Sequence, residues 1–207
     1  MEQVKMITIM DRIVRWMQGI GHGRGFGVQS PTAYRFLREV VCARLTTADL
    51  ASLPPEWHRA DRRERLTGAL CYRLARHVCP DQMAAFGAAS DLSAACMKVG
   101  WPDGLMQRVE AGRSFDDYGE LLSQLGTVRM VCVSLAEGAD AFVEHALDHA
   151  DERSVFLIED IWRDRLSRLW WDELRQDPRV GVTFDLYVCG LLTFNMKVFK
   201  RNYLVNL

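Results

Sequence analysis

The chain has 207 residues, 49% hydrophobic, 26% charged and 10% aromatic, the size and make-up of a single globular domain with a substantial core. With 26 Lys and Arg against 27 Asp and Glu, the formal net charge is -1, which excludes nucleic-acid binding by bulk charge because phosphate neutralisation needs a basic excess. No apolar run is long enough to span a bilayer, and Met1 to Met17, interrupted by Lys5, Asp11, Arg12 and Arg15, is wrong for a secretory signal.

The first predicted element is an amphipathic helix over Ile7 to Gln18, with Met10, Ile13, Val14 and Met17 on one face. Alternating glycines from Gly19 to Gly27 stop it. Ser30 followed by Pro31 then starts a helix, the serine as cap and the proline at the first helical position. A break at Leu53 to Trp57 sets an N-terminal helical cap segment, 1–55, against a main unit, 56–207, the two forming one compact body. Beyond Ala60 the pattern alternates. A helix through Leu66, Leu70, Leu74 and Val78 precedes a short apolar run, Met83 to Ala88. Then come a helix at Ser90 to Val99, a strand at Leu105 to Glu110, a helix at Phe115 to Leu125 and a strand at Val128 to Leu135. A helix at Ala139 to Ala150, a strand at Ser154 to Ile161 and a helix at Asp164 to Gln176 follow. The tail reads as strand over Val180 to Phe194 and again over Val198 to Leu207.

Alternating helices and continuously apolar strands predict an α/β fold: a three-layer, doubly wound, mostly parallel sheet with an antiparallel C-terminal hairpin, preceded by helices. Such sheets bind ligands beyond the carboxyl ends of their strands, near the reversal of strand order. The six cysteines, Cys42, Cys71, Cys79, Cys96, Cys132 and Cys189, form no C-x-x-C pair. They read as small buried hydrophobes in a reducing cytoplasm rather than as disulfide partners or zinc ligands. His145 and His149, at i and i+4 on an acid-rich helix, read as an exposed face, and the mixed-sign run Arg59 to Arg65 as a solvated helix start.

Two stretches resemble a class I S-adenosylmethionine-dependent methyltransferase family of Bacteroidetes-type bacteria. Gly25-Phe26-Gly27-Val28-Gln29-Ser30-Pro31-Thr32-Ala33-Tyr34 is similar to its Gly-Ile-His-Ser-Pro-Phe-x-Tyr signature. Phe156 to Tyr203 is similar to its Ile-Asp-Asp-Ile-x-Trp strand end, tryptophan-rich helix and Asp-Leu-Phe-x-x-Gly strand, the last matched by Asp185 to Gly190. The resemblance implies a seven-stranded Rossmann-like sheet with its last strand inserted antiparallel, and a cofactor pocket at the carboxyl edge. The matches are incomplete. Where the family has an acid-x-Gly-x-x-x-Gly turn, this chain has Ala85, Gly87 and Asp91; the third strand ends in Ser134-Leu135-Ala136-Glu137-Gly138, without the family's aspartate and histidine.

On that resemblance Gly87, Ala88, Ala89 and Ser90 face the methionine part of S-adenosylmethionine, Glu110 takes the ribose hydroxyls, and Ser134 and Glu137 line the cleft. Asp160 is the candidate base, Glu159 lines the acceptor side, and Ser30 and Tyr34 help close the pocket. Glu159 and Asp160 suit equally a helix-capping role or pairing with Arg163 and Arg165; a hard cation on their oxygens is the least favoured reading, and no metal site is assigned. Two functional readings stay open. One is a cytoplasmic methyltransferase using S-adenosylmethionine on a small-molecule acceptor, independent of nucleic acid and membrane and compatible with a homodimer. The other is a binding module of the same fold that has lost the cofactor. No serine elbow, Walker loop or intact dinucleotide fingerprint supports another enzyme class.

Overall fold

A computed structural model describes residues 30–195 and 200–205. The expected helix at Ile7 to Gln18, the glycine run and the first half of the Gly25-to-Tyr34 signature lie outside the described residues. Helix α1 (Pro31–Phe36) starts where Ser30 Oγ accepts from Ala33 N–H at 3.3 Å, and it continues as a wider turn over Leu37–Val41 that buries Leu37, Val40 and Val41. Two short helices follow, α2 (Thr47–Ser52) and α3 (Pro55–Arg59). Helix α4 (Arg62–Val78) is opened by a reciprocal cap in which Asp61 and Glu64 each accept the other's backbone N–H. The helix start expected within Arg59 to Arg65 is thus fixed by the Asp61 cap.

The remainder runs β1 (Gln82–Phe86), α5 (Asp91–Gly100), β2 (Leu105–Val109), α6 (Phe115–Leu125), β3 (Met130–Val133), α7 (Ala139–Asp148), β4 (Val155–Glu159), α8 (Arg165–Leu174), β5 (Val182–Asp185), β6 (Cys189–Thr193) and β7 (Arg201–Leu204). The strands form one seven-stranded sheet in the order β2-β1-β3-β4-β6-β5-β7. Pairs among β1 to β4 are parallel, β6 runs antiparallel to both neighbours, and β7 lies parallel to β5 at the edge. The doubly wound sheet with an antiparallel hairpin is therefore the architecture of the chain. Two details differ from expectation. The stretch Val180 to Phe194 is not one strand but the hairpin itself, and the inserted antiparallel strand is β6 rather than the last one. The chain reverses because Asp185 accepts Tyr187 N–H at 3.1 Å, with Tyr187 at φ 69°, a side-chain turn characteristic of aspartate.

Side chains alternate between two cores. Met83, Cys132 and Leu157 face α4, α5 and the N-terminal helices, where Leu37, Leu53, Leu70 and Met97 are buried. Phe86, Val133 and Ile158 face α6 to α8, packing with Tyr118, Phe142 and Trp171. Burial on both faces is why these strands read as unbroken apolar runs. Residues of the N-terminal segment share the first core with the sheet. Four of the cysteines, Cys71, Cys96, Cys132 and Cys189, are buried there as free thiols, but Cys79 is exposed, ending α4 at φ 48°.

Gly190 is needed for contact rather than conformation: a Cβ there would lie 2.4 Å from Cζ3 of the fully buried Trp171. Gly190→Ala is expected to destabilise the fold by about 1–3 kcal/mol. The measurement is urea unfolding, with a lower midpoint at an unchanged slope.

Candidate functional site

The chain passes from β1 to β2 on one side and returns to β3 on the other side of β1, so strand order reverses around β1. The connections leave in opposite directions there and open the sheet's carboxyl edge for a ligand. Gly87, just beyond β1, has φ 79° and ψ 151°, a region that side-chain-bearing residues avoid. A Cβ on it would lie 2.3 Å from Ser134 Oγ. Ser134, just beyond β3, is buried and donates to Phe86 O at 3.0 Å. Ser90 is also buried, its hydroxyl 3.0 Å from Phe86 O and 2.7 Å from Gly87 O. The space that glycine leaves at this turn is thus taken by the chain's own Ser134. Ala88 and Ala89 are exposed, immediately before α5.

Neither of the side chains that could crowd this edge does so. Phe86 is buried in the opposite core, stacked on Phe142 with ring centroids 5.0 Å apart. Asp91 is helical and points outward to an ion pair with Arg108 of β2.

At the end of β2, Glu110 is exposed, and its carboxylate has no hydrogen-bond or ion-pair partner among the described residues. Its backbone carbonyl accepts from Tyr118 Oη at 3.3 Å. Two residues on, Gly112 N–H donates to Glu137 O at 3.1 Å, joining the loop after β2 to the loop after β3 beyond the end of β1. The Glu137 side chain is exposed.

The end of β4 carries more chemistry than its neighbours. Glu159 is half-buried, its Oε1 accepting from Ser93 Oγ of α5 and, at 3.5 Å, from Cys132 Sγ of β3. Burial pushes its carboxyl up to about 7, with Asp160 adding to the rise and Ser93, Cys132 and Arg63 opposing it. Asp160 adopts φ 58° and sits 2.5 Å from Arg63 Nη2 of α4, which also reaches Val188 O at 3.3 Å. Arg163 donates to Leu135 O at 2.5 Å, tying the loop after β4 to the loop after β3.

Behind these lies Asp185, only 1% exposed. It accepts from Arg168 at 2.6 Å and from the Trp162 indole N–H at 3.2 Å, while the Arg168 guanidinium lies 4.3 Å from the Trp162 ring. Strained backbone at Asp160 and Tyr187 therefore flanks one fully bonded acid. Cys132 and Cys189 are held well above the ordinary thiol range, Cys132 chiefly by its contact with Cys71 and by burial, Cys189 by burial. They are neutral packing groups, not nucleophiles.

The structure brings Gly87, Ser90 and Ser134 into contact, and places Glu110, Glu137, Glu159 and Asp160 along the same edge. It does not bring Ser30 and Tyr34 there. Residues 32, 33, 35 and 36 of α1 border a cavity of about 450 Å³ with Val155, Val182 and Thr193, at the amino ends of β4 and β5. The expected closure of the carboxyl edge by α1 is corrected accordingly. The expected exposed face at His145 is corrected too: its ring lies 4.1 Å from that of Phe115 and packs on Gly119. Among the described residues no group of three His, Cys, Asp or Glu could hold a metal ion. Sequence reasoning missed Arg63, Ser93 and Cys132. Nothing local marks them, since each reaches this edge from a different element.

Because the folded state binds the Glu159 proton more tightly than an unfolded chain does, stability is lost as pH rises from the ordinary glutamate range through about 7. Between pH 5 and 8 the wild type is expected to lose about 2–3 kcal/mol from this group, and Glu159→Gln to lose much less. Urea unfolding at both pH values checks this.

No protein-family model matches the chain, and no curated protein matches it. Solved structures do. The MycE methyltransferase of the mycinamycin biosynthetic pathway, in complex with Mg and SAH, superimposes with TM-score 0.50 at 11% identity over 69% of this chain and 49% of that one. The chain thus spans about half the length of MycE. A Klebsiella pneumoniae protein assigned as an O-methyltransferase gives 0.52 at 12% identity, over 74% of this chain and 92% of its own. Cofactor-bound Rv0187 from MTB gives 0.51 at 15%, over 80% and 97%. At these identities the likeness is one of architecture: the chain has the Rossmann-like fold of S-adenosylmethionine-dependent methyltransferases.

Proposed function

We propose that the chain is an S-adenosylmethionine-dependent methyltransferase acting on a small-molecule acceptor at the carboxyl edge of its sheet. One observation carries the reading: beside the reversal of strand order, where doubly wound sheets take nucleotide-like ligands, the Glu110 carboxylate stands exposed and without a partner among the described residues. A carboxylate there can accept from two vicinal ribose hydroxyls at once. The backbone N–H groups of Ala88 and Ala89 precede the helical ladder of α5 and suit the methionine carboxylate. The donor set thus fits the cofactor, provided that the ligand lies outside Ser134 rather than in the hollow of Gly87.

S-adenosylmethionine would supply the activated methyl group. Around it, Gly87 and Ser90 hold the turn, Glu110 binds the ribose, and Ser134 and Glu137 border the cleft. Transfer of a methyl group asks the protein for in-line positioning and an outlet for the acceptor proton. Asp160 borders the acceptor side, but the Arg63 guanidinium at 2.5 Å keeps its carboxylate engaged. Its part is to fix the end of β4, with Glu159 beside it as the freer carboxyl.

The second reading, a cofactor-free binding module, is favoured by two contacts: Ser134 against Gly87, and the Gly112–Glu137 hydrogen bond across the cleft. Calorimetry with S-adenosylmethionine and S-adenosylhomocysteine separates the two. Micromolar binding that Glu110→Ala weakens by about 10- to 100-fold, the loss of hydrogen bonds to a charged group, supports the enzyme. No heat at millimolar ligand supports the module.

A further inference from the structure

We infer that the Glu159 carboxylate distinguishes the positively charged methyl donor from the neutral thioether left after transfer, by supplying the sulfonium with its counter-charge; this rests on the reading above. Three elements converge on it. Ser93 lies in the first turn of α5, six residues past Gly87, and Cys132 lies one residue before the end of β3. Both donate to the same oxygen of Glu159, at the end of β4. The carboxylate is therefore drawn across β3 to the first turn of α5, the helix that follows the Gly87 turn beside which the methionine part of the ligand would rest. Its other oxygen, Oε2, has no partner among the described residues.

Charge accounting around this acid is unequal. Arg63 of α4 is committed to Asp160 and Val188 O. Asp160, on the same strand end, repels Glu159. From β3 and β6, Cys132 and Cys189 face it as neutral thiols, and Cys71 of α4 touches Cys132. Asp185 has its own cation in Arg168. Two acids thus share one arginine, and Glu159 makes no ion pair among the described residues. A half-buried carboxylate in that position is poised for a cation that arrives from outside. A sulfonium carries a fixed positive charge at every pH, and the thioether product carries none at sulfur. Ionised Glu159 would hold the donor more tightly than the product and so favour release of the product.

The test measures dissociation constants of S-adenosylmethionine and S-adenosylhomocysteine for the full chain by calorimetry at pH 5.5 and 7.5. Burial sets the Glu159 carboxyl at about 7, so it is mostly protonated at the lower pH and mostly ionised at the higher. In the wild type the preference for the charged ligand is expected to rise about tenfold across this interval, the size of a close opposite-charge effect. In Glu159→Gln the ratio of the two constants is expected to be independent of pH. A wild-type ratio unchanged by pH overturns the inference while leaving the methyltransferase reading intact, and needs no variant. A pH response that persists in Glu159→Gln also overturns it. If neither ligand binds, the methyltransferase reading falls and takes this inference with it.

Discussion

The ion pair between Asp185 and Arg168 organises the carboxyl edge. Asp185 is almost fully buried, and such an acid is tolerated only when its charge and lone pairs are answered. The answers come from three places: Arg168 on α8, the Trp162 indole beyond β4, and the backbone N–H of Tyr187. The last of these turns β5 back into β6 and lets β6 insert antiparallel beside β4. The first two dock α8 and the loop after β4 against the same point. Removing the acid would take from the half-buried Arg168 its shorter ion pair, leaving that to Asp172, and would strip the Trp162 indole and the Tyr187 N–H of their acceptor, so the hairpin, the helix and the end of β4 depend on one residue.

Glu159 sits two strands away with the opposite solution. Its neighbours satisfy one oxygen with a hydroxyl and a thiol, and the nearby Arg63 pairs with Asp160 instead. The contrast between the two acids is informative. Asp185 is bonded on all sides and maintains the frame, whereas Glu159 is held at a carboxyl pKa of about 7 by burial, a perturbation typical of groups with chemistry to perform. Strained backbone at Asp160, beside Glu159, belongs to the same picture: Arg63 reaches across from α4 to hold it.

Most of the fold was legible because its determinants are local. Apolar runs bounded by Ser, Asp and Gly signals place β1, β3, β4 and α6 within a few residues, and Phe115–Leu125 matches outright. The position of the hairpin's turn was not, since Val180 to Phe194 is largely apolar and the Asp185 side chain marks the reversal. Within the site, strand-end logic found Gly87, Glu110, Ser134 and Glu159 on one edge. It could not find their partners. Arg63 belongs to a run that reads as solvated, and its contact with Asp160 spans nearly half the chain. Ser93 and Cys132 resemble ordinary packing residues until α5, β3 and β4 are brought together. For Ser30 and Tyr34 the sequence gives no edge at all, and α1 lies at the other end of the sheet.

Magnitudes decide what the packed features of the cleft mean for a ligand. The Gly112–Glu137 hydrogen bond joins two exposed loops, and a bond of that kind contributes about 0.5–1.5 kcal/mol net. A ligand held at micromolar strength brings roughly 8 kcal/mol, so such a bridge yields and does not by itself bar entry. Ser134 is different. Its hydroxyl is buried, bonded to Phe86 O and wedged against Gly87 at a distance that no Cβ could occupy. Displacing it would open a void and orphan a buried polar group, a cost of about 1–3 kcal/mol for the unmade bond alone. The hollow at Gly87 is therefore closed while the rim formed by Ala88, Ala89 and Glu110 is open. On the proposed reading a methyl donor would lie shallower here than the glycine turn alone suggests, and its affinity would rest on Glu110 and on the counter-charge of Glu159 rather than on close backbone approach.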